Sequence, residues 1–412
     1  MRIVDVTTAL LTGPSTGDPW LLPFKKLRSA AFIEVRTSSG DVGVGETYAG
    51  YFFPESVPLV VDYLKPILLN AESFDDPTDL DIETLCRRMR LCCAYWGRVG
   101  LGAAVIAGIE AALWDLKGKL LGAPVCELLG GARHARLPAY ATGGPSPWPM
   151  TDLLRKADHY LGLGFRAFKV SSGYVDMESR EEMPSGDGPN DAAELEVEKV
   201  SKLREHVGRD VGILLDGHMG HRESAQRWNV STAMAVLQAL EPYEVLLFEE
   251  PLPYHDLTGY AELCERSTTR VAGGEQLSRL EEFKLFADHR AFSVAQPDAA
   301  WLGLSELGEV AALFGQIGRS IAPHAWGAGG AVMQNVHAAF AAPNTLIVEL
   351  PPDAGPLHRE IWGDSLRLAD GYLTPPTAPG LGINLSQKIK EAYPFVPGAE
   401  EFSSVPGKLM RS

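Results

Sequence analysis

Basic residues are in short supply: 37 Lys and Arg stand against 53 Asp and Glu, a net charge of −16 over 412 residues. A nucleic acid or an anionic membrane needs a basic footprint, so neither is an expected partner. An anionic small molecule stays admissible, because a bound cation reverses the local sign. Cysteine is scarce as well. Cys86, Cys92, Cys93, Cys126 and Cys264 are odd in number and lack ligand-like spacing, and adjacent cysteines such as Cys92 and Cys93 rarely bridge. They read as reduced thiols of a cytoplasmic protein. No apolar run approaches the ~20 residues that span a bilayer. The opening Met1-Arg2-Ile3-Val4-Asp5 reads as a strand, not a signal peptide. A Gly-rich dinucleotide turn is missing too, which disfavours an open doubly wound sheet.

What is present is an apolar content of 45%, enough for a large core. Residues 1–131 read as an α+β domain. Residues 2–10 are extended, and Ala30–Arg36 and Val42–Glu46 flank a turn at Ser39-Gly40-Asp41. Between them, Thr12–Lys26 holds three Pro, two Gly and Trp20, and reads as a surface loop of the kind that forms lids. A helix is expected over 56–69 and a second from Val99 to Leu121. Ile106, Ile109, Leu113, Leu116 and Leu120 lie on one face of the second, and Gly122 and Pro124 end it.

From 132 to 350 the pattern becomes strand then helix. The strands are Leu137–Thr142, Ala167–Ser171, Gly212–Asp216, Val245–Glu250, Arg270–Gly274, Ser293–Gln296, Ser320–Pro323 and Leu346–Glu349. Eight apolar strands alternating with helical runs such as 191–206, 231–240, 303–316 and 331–342 predict a closed (β/α)-barrel. Gly173–Asp191 reads as an inserted surface loop. Residues 351–412 form a Pro/Gly-rich tail expected to pack back on the first domain.

Three consecutive strands end in acid, at Asp216, Glu249 and Glu275. In a barrel these ends ring one mouth. Three like charges there need neutralising, and a hard divalent cation with oxygen ligands does so. Any one of them alone could be a helix cap. Asp298 and His324 end strands six and seven, as a histidine and the acid that fixes its tautomer would. Lys169 would bring a fixed positive charge, or snorkel to the surface. Glu349 could exchange a proton at the substrate, or cap a helix. His218 follows Asp216 by two residues, although His218 and His221 also suit a solvated loop. Gly327-Ala328-Gly329-Gly330 reads as a place where backbone approaches the substrate.

With these residues in place, the chain resembles the enolase superfamily, within it the mandelate racemase-like sugar-acid dehydratases. The resemblance rests on Gly108-Ile109-Glu110-Ala111-Ala112-Leu113-Trp114-Asp115-Leu116, Leu128-Leu129-Gly130-Gly131, Phe168-Lys169, Leu215-Asp216, Phe248-Glu249-Glu250-Pro251-Leu252, Gly274-Glu275, Gln296-Pro297-Asp298, Pro323-His324 and Pro379-Gly380-Leu381-Gly382. It implies a modified TIM barrel whose mouth is covered by the first domain, with Asp216, Glu249 and Glu275 as Mg²⁺ ligands. It also implies a His324–Asp298 base, and substrate contacts from Glu250, Ser171, Trp20, Tyr48 and Trp326. A homo-oligomer, dimer or octamer, is expected.

One departure matters. The family's Lys-x-Lys is Lys169-Val170-Ser171 here, and a serine cannot serve as the second base of a racemase. Asp216-Gly217-His218 resembles the Asp-x-His of dehydratases in which the histidine is the general acid. The expected reaction is dehydration of an aldonate or aldarate to a 2-keto-3-deoxy acid through an enediolate. The alternatives are a cycloisomerase of a lactone or anhydro sugar acid, which Pro323-His324-Ala325-Trp326-Gly327 resembles, and a non-catalytic sugar-acid binder.

Overall fold

The structure, a computed structural model, describes residues 1–20, 26–186, 188–222 and 226–399. Three antiparallel strands, Ile3–Pro14, Leu27–Thr37 and Val42–Thr47, form the first sheet. Helices Val57–Leu69, Ile82–Cys92 and Leu101–Leu121 cover it. The long helix touches strand Val42–Thr47 closely. A Cβ on Gly45 would stand 2.3 Å from the Gly108 carbonyl, so glycine permits the contact. Gly122, at φ +66°, ends that helix where the sequence places its stop.

The barrel follows. Its strands are Leu137–Thr142, Ala167–Ser171, Gly212–Asp216, Phe248–Glu249, Val271–Gly273, Val294–Ala295, Ser320–Ile321 and Val348–Leu350, numbered one to eight below. Neighbours pair in parallel from strand one to strand seven, and strand eight pairs back on strand one. A bridge from Ile321 to Thr345 and a bond from the Leu346 N–H to the Ile321 carbonyl close the ring. Its interior is filled by Tyr140, Ala167, Leu214, Leu247, Ala272, Val294, Ala322 and Ile347, one side chain from or beside each strand. The lumen is therefore a packed core, and function is confined to the rim.

Two loop expectations need correction. Thr12–Lys26 is not a plain surface loop: the first strand continues to Pro14, and Ser15 and Asp18 are buried. Asp18 accepts from the Tyr160 hydroxyl at 2.7 Å, and Gly17 N–H donates to the Asp353 carbonyl. Polar partners on the barrel hold the segment there. Positions 21–25 lie outside the described residues. Nor is Gly173–Asp191 without structure. Tyr174–Asp176 and Glu182–Met183 form a hairpin that adds to Pro147–Trp148 as a small sheet.

The tail divides its contacts. Tyr372–Leu373 pairs with Leu137 and Pro138 of the barrel. Further on, Leu381 N–H donates to buried Asp115, and Thr12 N–H donates to the Tyr393 carbonyl. No described helix is long and apolar enough to cross a membrane.

Candidate active site at the strand ends

Register makes the site. Parallel pairing sets Glu249 beside Asp216, and Ser171 beside Asp216 on the other side. Glu275 follows two residues after strand five. Lys169 Nζ lies 2.6 Å from Glu249 Oε2, 2.9 Å from Asp216 Oδ2 and 3.4 Å from Glu349 Oε1. One cation thus faces three buried carboxylates, with Glu275 close by. The imbalance shows in Glu249. Burial, only partly offset by Lys169, and the neighbouring acids push its carboxyl up to about 8. Asp216 goes the other way: burial raises it, but His218 and Lys169 outweigh burial and hold it at about 2.

Glu249 Oε1 is buried with no hydrogen-bond partner. An orphaned carboxylate oxygen among further carboxylates, all hard oxygen donors, fits a divalent cation such as Mg²⁺.

Two histidines flank Glu275, each held by its own aspartate. His324 Nδ1 is 2.8 Å from Asp298 Oδ2, and its Nε2 is 3.7 Å from Glu275 Oε2. His218 Nδ1 is 2.9 Å from Asp216 Oδ1, and its Nε2 is 3.4 Å from Glu275 Oε1. His218 has φ +45°, a left-handed backbone that returns its N–H to Asp216 Oδ1. Asp298 is fixed in turn: its Oδ1 accepts from Ala300 N–H and from Asn335 Nδ2. Burial lowers His324, but Glu349, the Asp298 bond and Glu275 outweigh it and raise the ring to about 10.

The remaining expected residues are placed as follows. Glu349 Oε2 accepts from Ala325 N–H at 2.9 Å. Glu250 is buried, and both its oxygens face Gln276 Nε2, at 3.0 and 3.1 Å. Ser171 Oγ accepts from Ser146 N–H at 2.9 Å. Tyr48 stands 5.5 Å from the His324 ring and joins Tyr51, Phe52 and Trp301 in an aromatic wall. Trp326 lies under the Arg28 guanidinium at 4.2 Å. Trp20 is edge-on to His159, outside the described contacts that gather around Glu275.

Asn335, Gln276 and Trp301 escaped the sequence reading. Asn335 carried a weak signal: with Gln334 and His337 it is one of three polar residues in the otherwise apolar helix Gly330–Ala341. Gln276 and Trp301 sit in short loop and helical segments with no such pattern.

The fold of a capped barrel is shared with solved structures. Residues 152–389 match the family described as enolase C-terminal domain-like, and residues 15–130 match the mandelate racemase/muconate lactonizing enzyme N-terminal domain. The chain belongs to the mandelate racemase/muconate lactonizing enzyme family of the enolase superfamily. It is 30% identical to an arabinonate dehydratase of Saccharolobus solfataricus, over 87% of this chain and 89% of that one. It is 29% identical to a 3,6-anhydro-alpha-L-galactonate cycloisomerase of Streptomyces coelicolor, over 86% and 88%. Among solved structures, a racemase from Streptomyces coelicolor with bound magnesium aligns with a TM-score of 0.78 and 27% identity, covering 95% of this chain and 99% of that one.

Proposed function

We propose that the protein removes water from a sugar acid, an aldonate or aldarate, in a Mg²⁺-dependent reaction that gives a 2-keto-3-deoxy acid. The observation that carries this reading is the pair of aspartate-held histidines aimed at the two oxygens of Glu275.

Asp216, Glu249 and Glu275 would hold the cation. Bound there, the cation would supply positive charge to hold the substrate carboxylate and to draw off charge as the neighbouring C–H bond breaks. The residues do the rest. Once Glu275 is neutralised at the cation site, the His324 ring can give up the proton that the bare acids favour; it then takes the C2 proton at Nε2, while Asp298 keeps the proton on Nδ1 and stabilises the charged ring. Lys169 supplies fixed positive charge where the substrate carboxylate gains negative charge. His218 gives its Nε2 proton to the C3 hydroxyl as that group leaves as water. The enol then tautomerises to the keto acid. Ser171, bonded to Ser146, stands where the family resemblance would place a second lysine, which supports one-base chemistry.

A cycloisomerase acting on an anhydro or lactone sugar acid is the second reading. The wall of Tyr48, Tyr51, Phe52 and Trp301 beside His324 favours it, because a flat apolar surface suits a closed ring.

A panel of acid sugars with Mg²⁺, read by product mass and by 2-keto acid formation, tests both. Loss of one water supports dehydration, while a product of unchanged mass supports the second reading. No conversion of any aldonate, aldarate or cyclic acid contradicts both.

A further inference from the structure

His221 is outside the chemistry above, yet the chain folds it back onto the site. Asp216-Gly217 is followed by His218-Met219-Gly220-His221, a turn closed by a bond from the His221 N–H to the His218 carbonyl at 3.0 Å. The left-handed His218 backbone and the small Gly220 let the two rings lie on one side of this turn. Their centroids are 5.5 Å apart and their planes differ by 22°. One ligating atom from each of His218, His221 and Glu275 lies within 4.8 Å of the others.

We propose that His218, His221 and Glu275 form a second divalent-metal site, selective for a borderline ion such as Zn²⁺ and set beside the all-oxygen site. Three features support it. The donor set is two imidazoles and one carboxylate, which suits Zn²⁺ and is poor for Mg²⁺. His218 Nε2 and Glu275 Oε1 are 3.4 Å apart. That equals the ~3.4 Å edge between two ligands of a tetrahedral ion with bonds of about 2.0–2.1 Å. Asp216 holds His218 Nδ1, the carboxylate–histidine arrangement that orients a metal-ligating ring. His221 stands beside Gln276 with its ligating atom already in the cluster, and water would be the fourth ligand.

An ion there occupies His218 Nε2 and removes it as a proton donor. The site is therefore inhibitory, a consequence that rests on the dehydratase reading. The binding itself does not.

The test needs no substrate. Chelator-stripped full-length protein is saturated with Mg²⁺, and Zn²⁺ is titrated in competition with a chromophoric chelator. The wild type should take up one Zn²⁺ per chain. His221→Ala should weaken that binding about tenfold or more. His206→Ala, which removes an exposed histidine paired with Asp158, should leave it unchanged. With Co²⁺ in place of Zn²⁺, the wild type should show the intense visible bands of a four-coordinate ion, and His221→Ala should not. No Zn²⁺ uptake, or equal affinity and equal Co²⁺ spectra in wild type and His221→Ala, overturns the proposal. The second result would place the ion on the carboxylates alone.

Discussion

The two histidine–aspartate pairs around Glu275 are built from the same groups and differ in their surroundings. His324 is 8% exposed, and its partner Asp298 is fully buried and anchored by Ala300 and Asn335. The His218 ring is 41% exposed, and its partner Asp216 is shared with Lys169. A buried ring with a dedicated acid keeps one tautomer and excludes competing water, which suits a base working on a weakly acidic C–H. An open ring can trade its proton with solvent between turnovers, which suits an acid. In the proposed reaction, position, and not residue type, divides the two roles.

Variants that break the carboxylate cluster beside both pairs should have the largest effect. Glu249→Gln should lower turnover by about 10³-fold or more, since the cation's charge stabilisation is worth several kcal/mol. It should also weaken Mg²⁺ binding. In metal-free buffer its melting temperature should equal or exceed the wild type's, because a crowded carboxylate is gone. Full turnover of metal-free wild type would contradict this.

Next come variants that break one side of the comparison. His324→Asn should reduce turnover by about 10⁴-fold, the upper end for general acid–base catalysis. Asp298→Asn should fall less, by presenting an amide N–H to His324 Nδ1 and so disturbing its tautomer. Steady-state kinetics check the order, and a larger defect in Asp298→Asn than in His324→Asn would break it.

The smallest effect lies away from both pairs. Glu46, on the third strand of the first sheet, accepts N–H bonds from Ala328 and Ala331 beside strand seven. Burial pushes its carboxyl up to about 7 despite those bonds and Arg28. The folded chain therefore holds a proton that the unfolded chain has lost. Its contribution is present below the unfolded value of about 4.5 and falls as pH rises toward about 7, by roughly 3 kcal/mol. The melting temperature of the wild type relative to Glu46→Gln should decline between pH 5 and pH 8. A constant difference would contradict this assignment.

Much of the fold was legible because burial writes itself into composition. The eight strand segments read as continuous apolar runs, and each contains or overlaps its observed strand. Asp216, Glu249 and Glu275 were visible because each ends or follows such a run. Loops were less legible. Asp18 is buried through Tyr160, which is 142 positions away, and no local pattern encodes that partnership. Trp20 is a substrate contact only by the family resemblance, and the structure sets it against His159. The anchoring of Asp298 by Asn335 depends on how helix Gly330–Ala341 docks, which residue spacing does not state.

The division of labour between the two pairs is tested most directly by C2 hydrogen exchange. Each variant is incubated with a turned-over sugar acid and Mg²⁺ in D₂O, and deuterium at C2 of the remaining substrate is followed by NMR. His218→Asn should slow dehydration by about 10²–10⁴-fold. It should still exchange C2–H, because His324, Asp298 and Lys169 remain. His324→Asn should show neither turnover nor exchange. Exchange retained in His324→Asn and lost in His218→Asn would contradict the account and make the exposed pair the base.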